Sequence, residues 1–333
     1  MKKLGIAVVG CGRISTSHLK GIVDMPDSLR LVGAVDTIAE RAETRKREFG
    51  AEKAFASLED ALRDPEIEAL DLCLPHYLHH PIALRCIQAG KHVLVEKEMS
   101  TSYELSLDMV RAAQEAQVTL MVGQSRRYYD AVQESVRLAQ AGEIGRIFNV
   151  VSLWQVKVEK ALTGWWKSRA QAGGLLLALN GSHAVDYITW LKGYAYPKRV
   201  YCQLGHINPD WQGEDEVTLV MTYADGSTAT VHLSFNMAES RHFRIIEGTG
   251  GSMYLDNETT LTVNGQTRVS GEQKPNTFAL QVKEFADSIR QGREPLSSGR
   301  LVAPVNAILD IAFESARTNQ ALDLPARYPE LGI

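Results

Sequence analysis

The chain has 333 residues, more than one compact core usually holds, so two domains are expected. It is 44% hydrophobic and 23% charged, the balance of a soluble globular protein. Its 36 Lys and Arg against 40 Asp and Glu leave a formal charge of −4, which argues against general binding to nucleic acid or an anionic membrane.

The expected partners are small molecules and further copies of the chain. Cys11, Cys73, Cys86 and Cys202 are far apart and show no C-x-x-C spacing. That usage fits a reducing compartment, and a cytoplasmic protein is expected. No apolar run approaches the roughly 18 residues that cross a bilayer. The N-terminus, Lys2-Lys3 followed by Leu4 to Cys11, imitates a lipoprotein signal. Its apolar part is only about six residues, below the usual range of about 7–15.

In chain order, short apolar runs alternate with amphipathic stretches through the first third, the pattern of a parallel sheet with crossover helices. Strands are predicted at 6–9, 31–35, 69–73, 92–95 and 119–122. Helices are predicted at 15–25, 38–49, 58–63, 79–88 and 103–116. The strands read as nearly continuous apolar runs, as expected when helices cover both sheet faces. Beyond Val122 the pattern changes. A helix at 131–141 leads to a strand at 147–156, and strands follow at 200–204, 217–223, 227–235, 243–247, 252–256 and 260–263. Asp225-Gly226 and Asn264-Gly265 are hairpin turn signals. Helices at 278–291 and 301–319 close the chain. The expected architecture is α/β: a doubly wound Rossmann domain over 1–122, then an α/β domain with a largely antiparallel open sheet over 123–333.

Gly10-Cys11-Gly12-Arg13-Ile14-Ser15 follows a strand and opens a helix. Gly10 permits the tight turn, and Gly12 lets the backbone approach a pyrophosphate resting on the free N–H groups of the helix start. Ser15 fills the slot where a third glycine often stands. Asp36 ends the next strand, 21 residues after Ser15, where a carboxylate can accept the adenosine ribose hydroxyls. It would repel a 2′-phosphate, which favours NAD over NADP; Arg41, five residues on, weighs the other way. The plainer reading of Asp36 is a cap for the helix near Ile38.

Longer stretches carry a resemblance. Leu70 to His79 looks like a strand ending in T-P-N-x-x-H, and Ala89 to Lys97 like A-G-K-H-V-x-x-E-K-P. Gly123-Gln124-Ser125-Arg126-Arg127-Tyr128 and Gly173-Gly174…Gly181-Ser182-His183-Ala184-Val185-Asp186 follow, with Phe313 to Arg317 and Leu324-Pro325 near the end. Together they resemble the glucose–fructose oxidoreductase/inositol dehydrogenase/MocA (Gfo/Idh/MocA) family over nearly the whole chain. The resemblance implies an NAD(P)-dependent dehydrogenase or reductase acting on CH–OH groups, and a homo-oligomer, dimer or tetramer, formed through the open sheet. It implies cofactor contacts from Gly10, Gly12, Arg13, Ile14, Asp36, Leu74, Pro75, His76, His79, Glu96 and Lys97.

Hydride transfer from a secondary alcohol needs a group that stabilises the developing oxyanion and one that exchanges the hydroxyl proton. Lys97, at the carboxyl edge of the sheet, suits the first task. The alternative is a solvated lysine paired with Glu96 or Glu98. His183 suits the second, since imidazole exchanges protons near neutrality. Alternatively it is a core histidine of a helix starting near Gly181. Asp186, on the same helical face, orients the site or serves the core. Arg127, Trp166 and Asn180 complete the expected substrate side, where Trp165-Trp166 beside Lys167 suits stacking on a sugar ring or packing in a core. Two positions depart from the family. Leu179 stands where an Asp is usual, four residues before the histidine, and Glu98 replaces the proline after Lys97.

The expected substrate is therefore a sugar, glycoside or cyclitol. Two rival classes remain: a glycosidase or lyase that uses tightly bound NAD for transient oxidation, and a non-catalytic NAD-binding sensor. No metal is expected: His76, His79 and His80 imitate metal-ligand spacing, but no Cys or carboxylate completes a site, and the resemblance puts His76 and His79 in the turn that contacts the cofactor. Glu247 to Gly251 imitates a phosphate loop but is followed by strand-like residues, so it reads as a turn.

Overall fold

The computed structural model describes residues 3–272 and 276–331, so Lys2 of the signal-like N-terminus lies outside them. The chain divides into two compact units, 1–128 with 274–303 and 129–273 with 304–333.

The first unit alternates β1 (Leu4–Val9), α1 (Ser15–Val23), β2 (Leu29–Val35), α2 (Ala39–Phe49), β3 (Lys53–Phe55), α3 (Leu58–Arg63), β4 (Ala69–Leu72), α4 (His76–Gln88), β5 (His92–Glu96), α5 (Tyr103–Glu115) and β6 (Leu120–Gly123). Its six strands are all parallel, in the order β3-β2-β1-β4-β5-β6. The order reverses between β1 and β4, which puts the loops after both strands at the switch point where such sheets bind ligands. β1, β4 and β6 are buried at every position, which is why they read as apolar runs, broken only by Asp71 in β4. The edge strand β3 carries no such signal, being three half-buried residues.

The chain sends α9 (Thr277–Gln291) back to this unit, where it packs on α1. Gly21 makes that approach possible, since a Cβ there would lie 2.8 Å from the carbonyl carbon of Phe278.

In the second unit, α6 (Asp130–Gln140) precedes β7 (Ile147–Lys157), a 3-10 turn over Gly164–Lys167, α7 (Arg169–Ala172) and α8 (Ser182–Leu191). The strands β8 (Arg199–Gly205), β9 (Glu216–Thr222), β10 (Thr228–Ser234), β11 (Asn236–Gly248), β12 (Gly251–Asp256), β13 (Thr260–Val263) and β14 (Gln266–Val269) follow. Helix α10 (Gly299–Thr318) begins in the first unit and ends in the second, ahead of β15 (Leu322–Asp323) and α11 (Leu324–Arg327). The sheet runs β14-β13-β12-β11-β7-β10-β9-β8-β15. Its β7–β10 pair is parallel, and the other described pairs are antiparallel. Strands β9 and β10 alternate buried and half-buried residues, the mark of a sheet with one face on the core. The hairpin signals fall where expected, with Gly226 between β9 and β10 and Asn264-Gly265 between β13 and β14, all at positive φ. Glu247 to Gly251 is the turn from β11 to β12, with Gly248 and Gly251 paired.

Candidate active site

The first unit gathers the dinucleotide residues at one sheet edge. Gly10 has φ +91°, and a Cβ there would lie 2.5 Å from the Cys73 carbonyl, so the β1–α1 turn tolerates nothing larger. A Cβ on Gly12 would meet no atom within 4 Å, so its backbone faces open space that a pyrophosphate can approach. Ser15 earns its place in the third slot: it is buried, and its hydroxyl donates to the Gly12 carbonyl at 2.6 Å. Arg13 is exposed and Ile14 half-buried beside it. Asp36 holds the turn. One carboxylate oxygen accepts from the Cys11 N–H at 2.8 Å and the other from the Ile38 N–H at 2.9 Å. These residues fit a dinucleotide: a bare backbone approach, a helix start and an acidic residue at the end of β2.

Leu74 and Pro75, both half-buried, form the turn between β4 and α4. His79 was expected to touch the cofactor, but it is fully buried. Its Nδ1 lies 2.5 Å from the Glu98 carbonyl and its Nε2 2.8 Å from the Leu74 carbonyl. Its part is therefore to brace the turn from behind. Burial lowers its pKa, against the two carbonyl contacts, which raise it. His76 is buried beside it, ring centroids 5.7 Å apart. His80 faces Asp108 at 2.8 Å.

Lys97 follows β5 at its carboxyl end and is partly exposed between buried Glu96 and Glu98; the Lys97–Glu98 peptide bond is cis. Burial lowers the lysine pKa against the pull of Glu98 and Glu96, and Arg126 and Arg13 add to the lowering. An ammonium with a depressed pKa is a better proton donor to a developing oxyanion than a solvated lysine.

Sequence reasoning missed the partners of Glu96. His18, on α1, is fully buried with Nδ1 2.8 Å from Asp71 and Nε2 2.9 Å from Glu96. The signal was present: Asp71 sits between Leu70 and Leu72 in a strand buried on both faces, where a carboxylate requires a partner. Arg127, expected on the substrate side of the second domain, belongs to the first unit and is 2% exposed. Its Nη1 donates to the Leu296 carbonyl at 2.6 Å, so it ties down the returning segment instead.

In the second unit, three consecutive N–H groups at the start of the helical run 175–191 converge on Glu214. Leu175 and Leu177 donate to its Oε1, each at 2.9 Å, and Leu176 to its backbone carbonyl at 3.1 Å. Burial raises the Glu214 pKa against the N–H bonds from Leu175 and Leu177. The run then widens into a π-helical segment over Leu177–Gly181 before α8 begins. From Leu175 to Leu191 every residue is buried except Asn180 and His183, which are partly exposed and three positions apart. The helical face they share is thus the one place where this run meets solvent. Leu179 and Asp186 are buried.

Four of the five tryptophans, Trp154, Trp165, Trp166 and Trp211, form one aromatic group around Phe235. Trp166 stacks on it at 12° with centroids 6.3 Å apart, while Trp154 and Trp211 pack at 5.9 and 6.1 Å. Trp165 meets Trp166 edge-on. Trp165 and Trp166 are half-buried, so they pack and also present surface.

Residues 4–124 match the oxidoreductase family with an NAD-binding Rossmann fold, and residues 132–254 match the GFO/IDH/MocA C-terminal domain. The chain belongs to the GFO/IDH/MocA family of oxidoreductases, and its N-terminal Rossmann domain binds NAD. It is 29% identical to the 2,7-anhydro-N-acetylneuraminate hydratase of Escherichia coli (strain K12), over 87% of this chain and 76% of that protein. It is 25% identical to the scyllo-inositol 2-dehydrogenase (NAD(+)) of Bacillus subtilis (strain 168), over 94% and 92%. Levoglucosan dehydrogenase in complex with NADH and levoglucosan shares the fold, with a TM-score of 0.91 at 22% identity, covering 97% of this chain and all of that one.

Proposed function

We propose that this protein is an NAD(H)-dependent oxidoreductase that transfers hydride to or from a secondary hydroxyl of a sugar, glycoside or cyclitol. The observation that carries the reading is the pair of residues each unit exposes from an otherwise buried element, Lys97 after β5 and His183 on α8. Bound NAD supplies the hydride acceptor or donor. Lys97 holds the reacting oxygen and stabilises its negative charge, while His183 exchanges the hydroxyl proton. Asn180 and Trp166 orient the substrate, the latter through its ring face, and Asp186 supports His183 from within the helix. Gly10, Gly12, Arg13, Ile14, Asp36, Leu74, Pro75, His76, Glu96 and Lys97 form the cofactor side, with His79 behind them. Asp36 favours NAD over NADP. Residues 1–122 are assigned to cofactor binding and 123–333 to substrate binding and assembly.

The protein would work in the cytoplasm as a homo-oligomer, a dimer or tetramer. Partly exposed Phe148 and Tyr254 on the second sheet support the assembly reading. Among the described residues, no helix is long and apolar enough to cross a membrane. A second reading, a lyase or glycosidase using transient oxidation, draws on Leu179 and on the similarity to a hydratase.

One assay separates the readings. The protein is incubated with NAD and a panel of sugars and cyclitols while reduced nicotinamide is followed. Sustained reduction that disappears in Lys97→Ala and His183→Ala supports the dehydrogenase. Substrate consumption without net reduction moves the assignment to the second reading, and cofactor binding without turnover on a broad panel sinks both.

A further inference from the structure

The buried group beneath Lys97 is unusual for an apolar sheet. His18 reaches from α1 between two neighbouring strands, with Asp71 of β4 on one ring nitrogen and Glu96 of β5 on the other, at 2.8 and 2.9 Å. Exposure is 0% for His18 and Asp71 and 7% for Glu96. The surroundings are shaped for it. Gly123 pairs with Glu96 across β5 and β6, and a Cβ there would lie 2.6 Å from Glu96 Oε1. From α9 the Phe278 ring closes the side of the imidazole, centroids 5.1 Å apart. The titratable groups facing the ring are Asp71, Glu96 and Cys73, whose thiol lies 4.0 Å from the Asp71 carboxylate.

A neutral imidazole has one N–H and one lone pair. With an ionised carboxylate at each nitrogen, one of them would face the lone pair, an arrangement that a buried site cannot tolerate. The doubly protonated ring donates to both. Burial alone would lower the His18 pKa, but the Asp71 charge overrides it and the pKa lies well above 6.5; burial raises the Asp71 pKa, and the His18 charge and hydrogen bond oppose that rise. His18, Asp71 and Cys73 come within 4.8 Å of one another, a spacing a metal ion could span. An imidazolium donating at both nitrogens has no lone pair to give a metal.

We propose that His18 is a positioning residue: held as an imidazolium between Asp71 and Glu96, it fixes the Glu96 carboxylate and its negative charge next to Lys97, and so sets the pH range over which Lys97 works. This rests on the reading of Lys97 as the group at the reacting oxygen. The charge of Glu96 is one of the two that hold the lysine pKa up against burial. If His18 loses its proton, its one remaining N–H can serve only one of the two carboxylates. Where Asp71 keeps it, the Glu96 carboxylate faces a lone pair and must turn away, which withdraws its charge from the ammonium of Lys97.

Two measurements test this. In protein labelled with ¹⁵N-histidine, the His18 signal is assigned by its loss in His18→Gln. It should show the imidazolium pattern from about pH 6 to about pH 9, across the range where a free histidine titrates. A ring that titrates near 6.5 overturns the proposal without reference to turnover. In Asp71→Asn, the amide oxygen keeps an acceptor for His18 while removing the charge that holds its proton. The alkaline fall of kcat, read on the best sugar of the panel, should move down by about one pH unit or more, a tenfold change in ionisation ratio. A profile that superimposes on the wild type after scaling refutes the positioning role. Lys97→Ala distinguishes the two levels. If it keeps turnover, the functional reading fails. If it abolishes turnover while Asp71→Asn leaves the profile in place, only the present inference fails. Should Asp71→Asn not fold, the wild-type titration still decides whether the imidazolium exists.

Discussion

Replacing Glu214 with alanine should loosen the helix that carries Asn180 and His183 while leaving the Rossmann unit intact. The carboxylate oxygen Oε1 takes two N–H groups, from Leu175 and Leu177, each at 2.9 Å in a buried setting. An orphaned buried donor costs about 1–3 kcal/mol, so two cost about 2–6. Removing the carboxylate also relieves its own burial, the cause of its raised pKa, which brings the expected loss to about 2–4 kcal/mol. With a urea dependence of about 2 kcal/mol per molar, the midpoint should fall by about 1–2 M. All five tryptophans, Trp154, Trp165, Trp166, Trp190 and Trp211, lie in the second unit, so their fluorescence reports its unfolding selectively. Glu214→Gln keeps an acceptor in place and should lose about 1 kcal/mol. NAD affinity, a property of the first unit, should be unchanged in both. The reasoning is refuted if the alanine variant unfolds within about 0.3 M of the wild type, or if glutamine costs as much as alanine.

The same carboxyl gives a pH prediction. Its folded pKa is raised above 4.5, so the folded state holds the proton over a window where the unfolded state has lost it. Wild-type stability relative to Glu214→Gln should therefore decline as pH rises from below 4.5 through the folded pKa; a difference that grows over that window contradicts the assignment. All four cysteines are buried, with thiol pKa values pushed up to about 12 from 9.0 by burial. In native protein they should react with a thiol reagent roughly a thousandfold more slowly than in urea, and a fast equivalent before unfolding would disprove this. Gly10→Ala places a methyl 2.5 Å from the Cys73 carbonyl at φ +91° and should cost about 1–3 kcal/mol and weaken NAD binding, read by calorimetry. Asp36→Ala should lower the preference for NAD over NADP by about tenfold, roughly 1.4 kcal/mol; an unchanged ratio means that Asp36 only shapes the turn.

Much of the fold was legible because periodicity survives translation into structure. The apolar runs at 6–9, 69–73 and 119–122 are buried strands, and the glycine turn between β1 and α1 sits at the sheet's switch point. The edge strand β3 was not legible, since a three-residue, half-buried strand has no pattern to show. Nor was the return of α9 to the first unit, because an amphipathic helix announces its apolar face but not what covers it. At the site, glycines and the acidic end of β2 could be read by spacing, whereas Arg127 and His79 were assigned to ligands and proved to hold backbone carbonyls. A polar side chain in a sequence looks the same whether it faces a ligand or satisfies a buried carbonyl.

By itself the sequence determined the alternation of elements, the dinucleotide turn from Gly10 to Asp36, the family, and the candidacy of Lys97 and His183. Those are local properties, set by residue type and spacing along the chain. Only the tertiary structure brought His18, Asp71 and Glu96 onto one imidazole, and Glu214 onto the start of the helix carrying His183. Their separations in sequence are long, and the cost of burying their charges is met only when the packed fold supplies the partner.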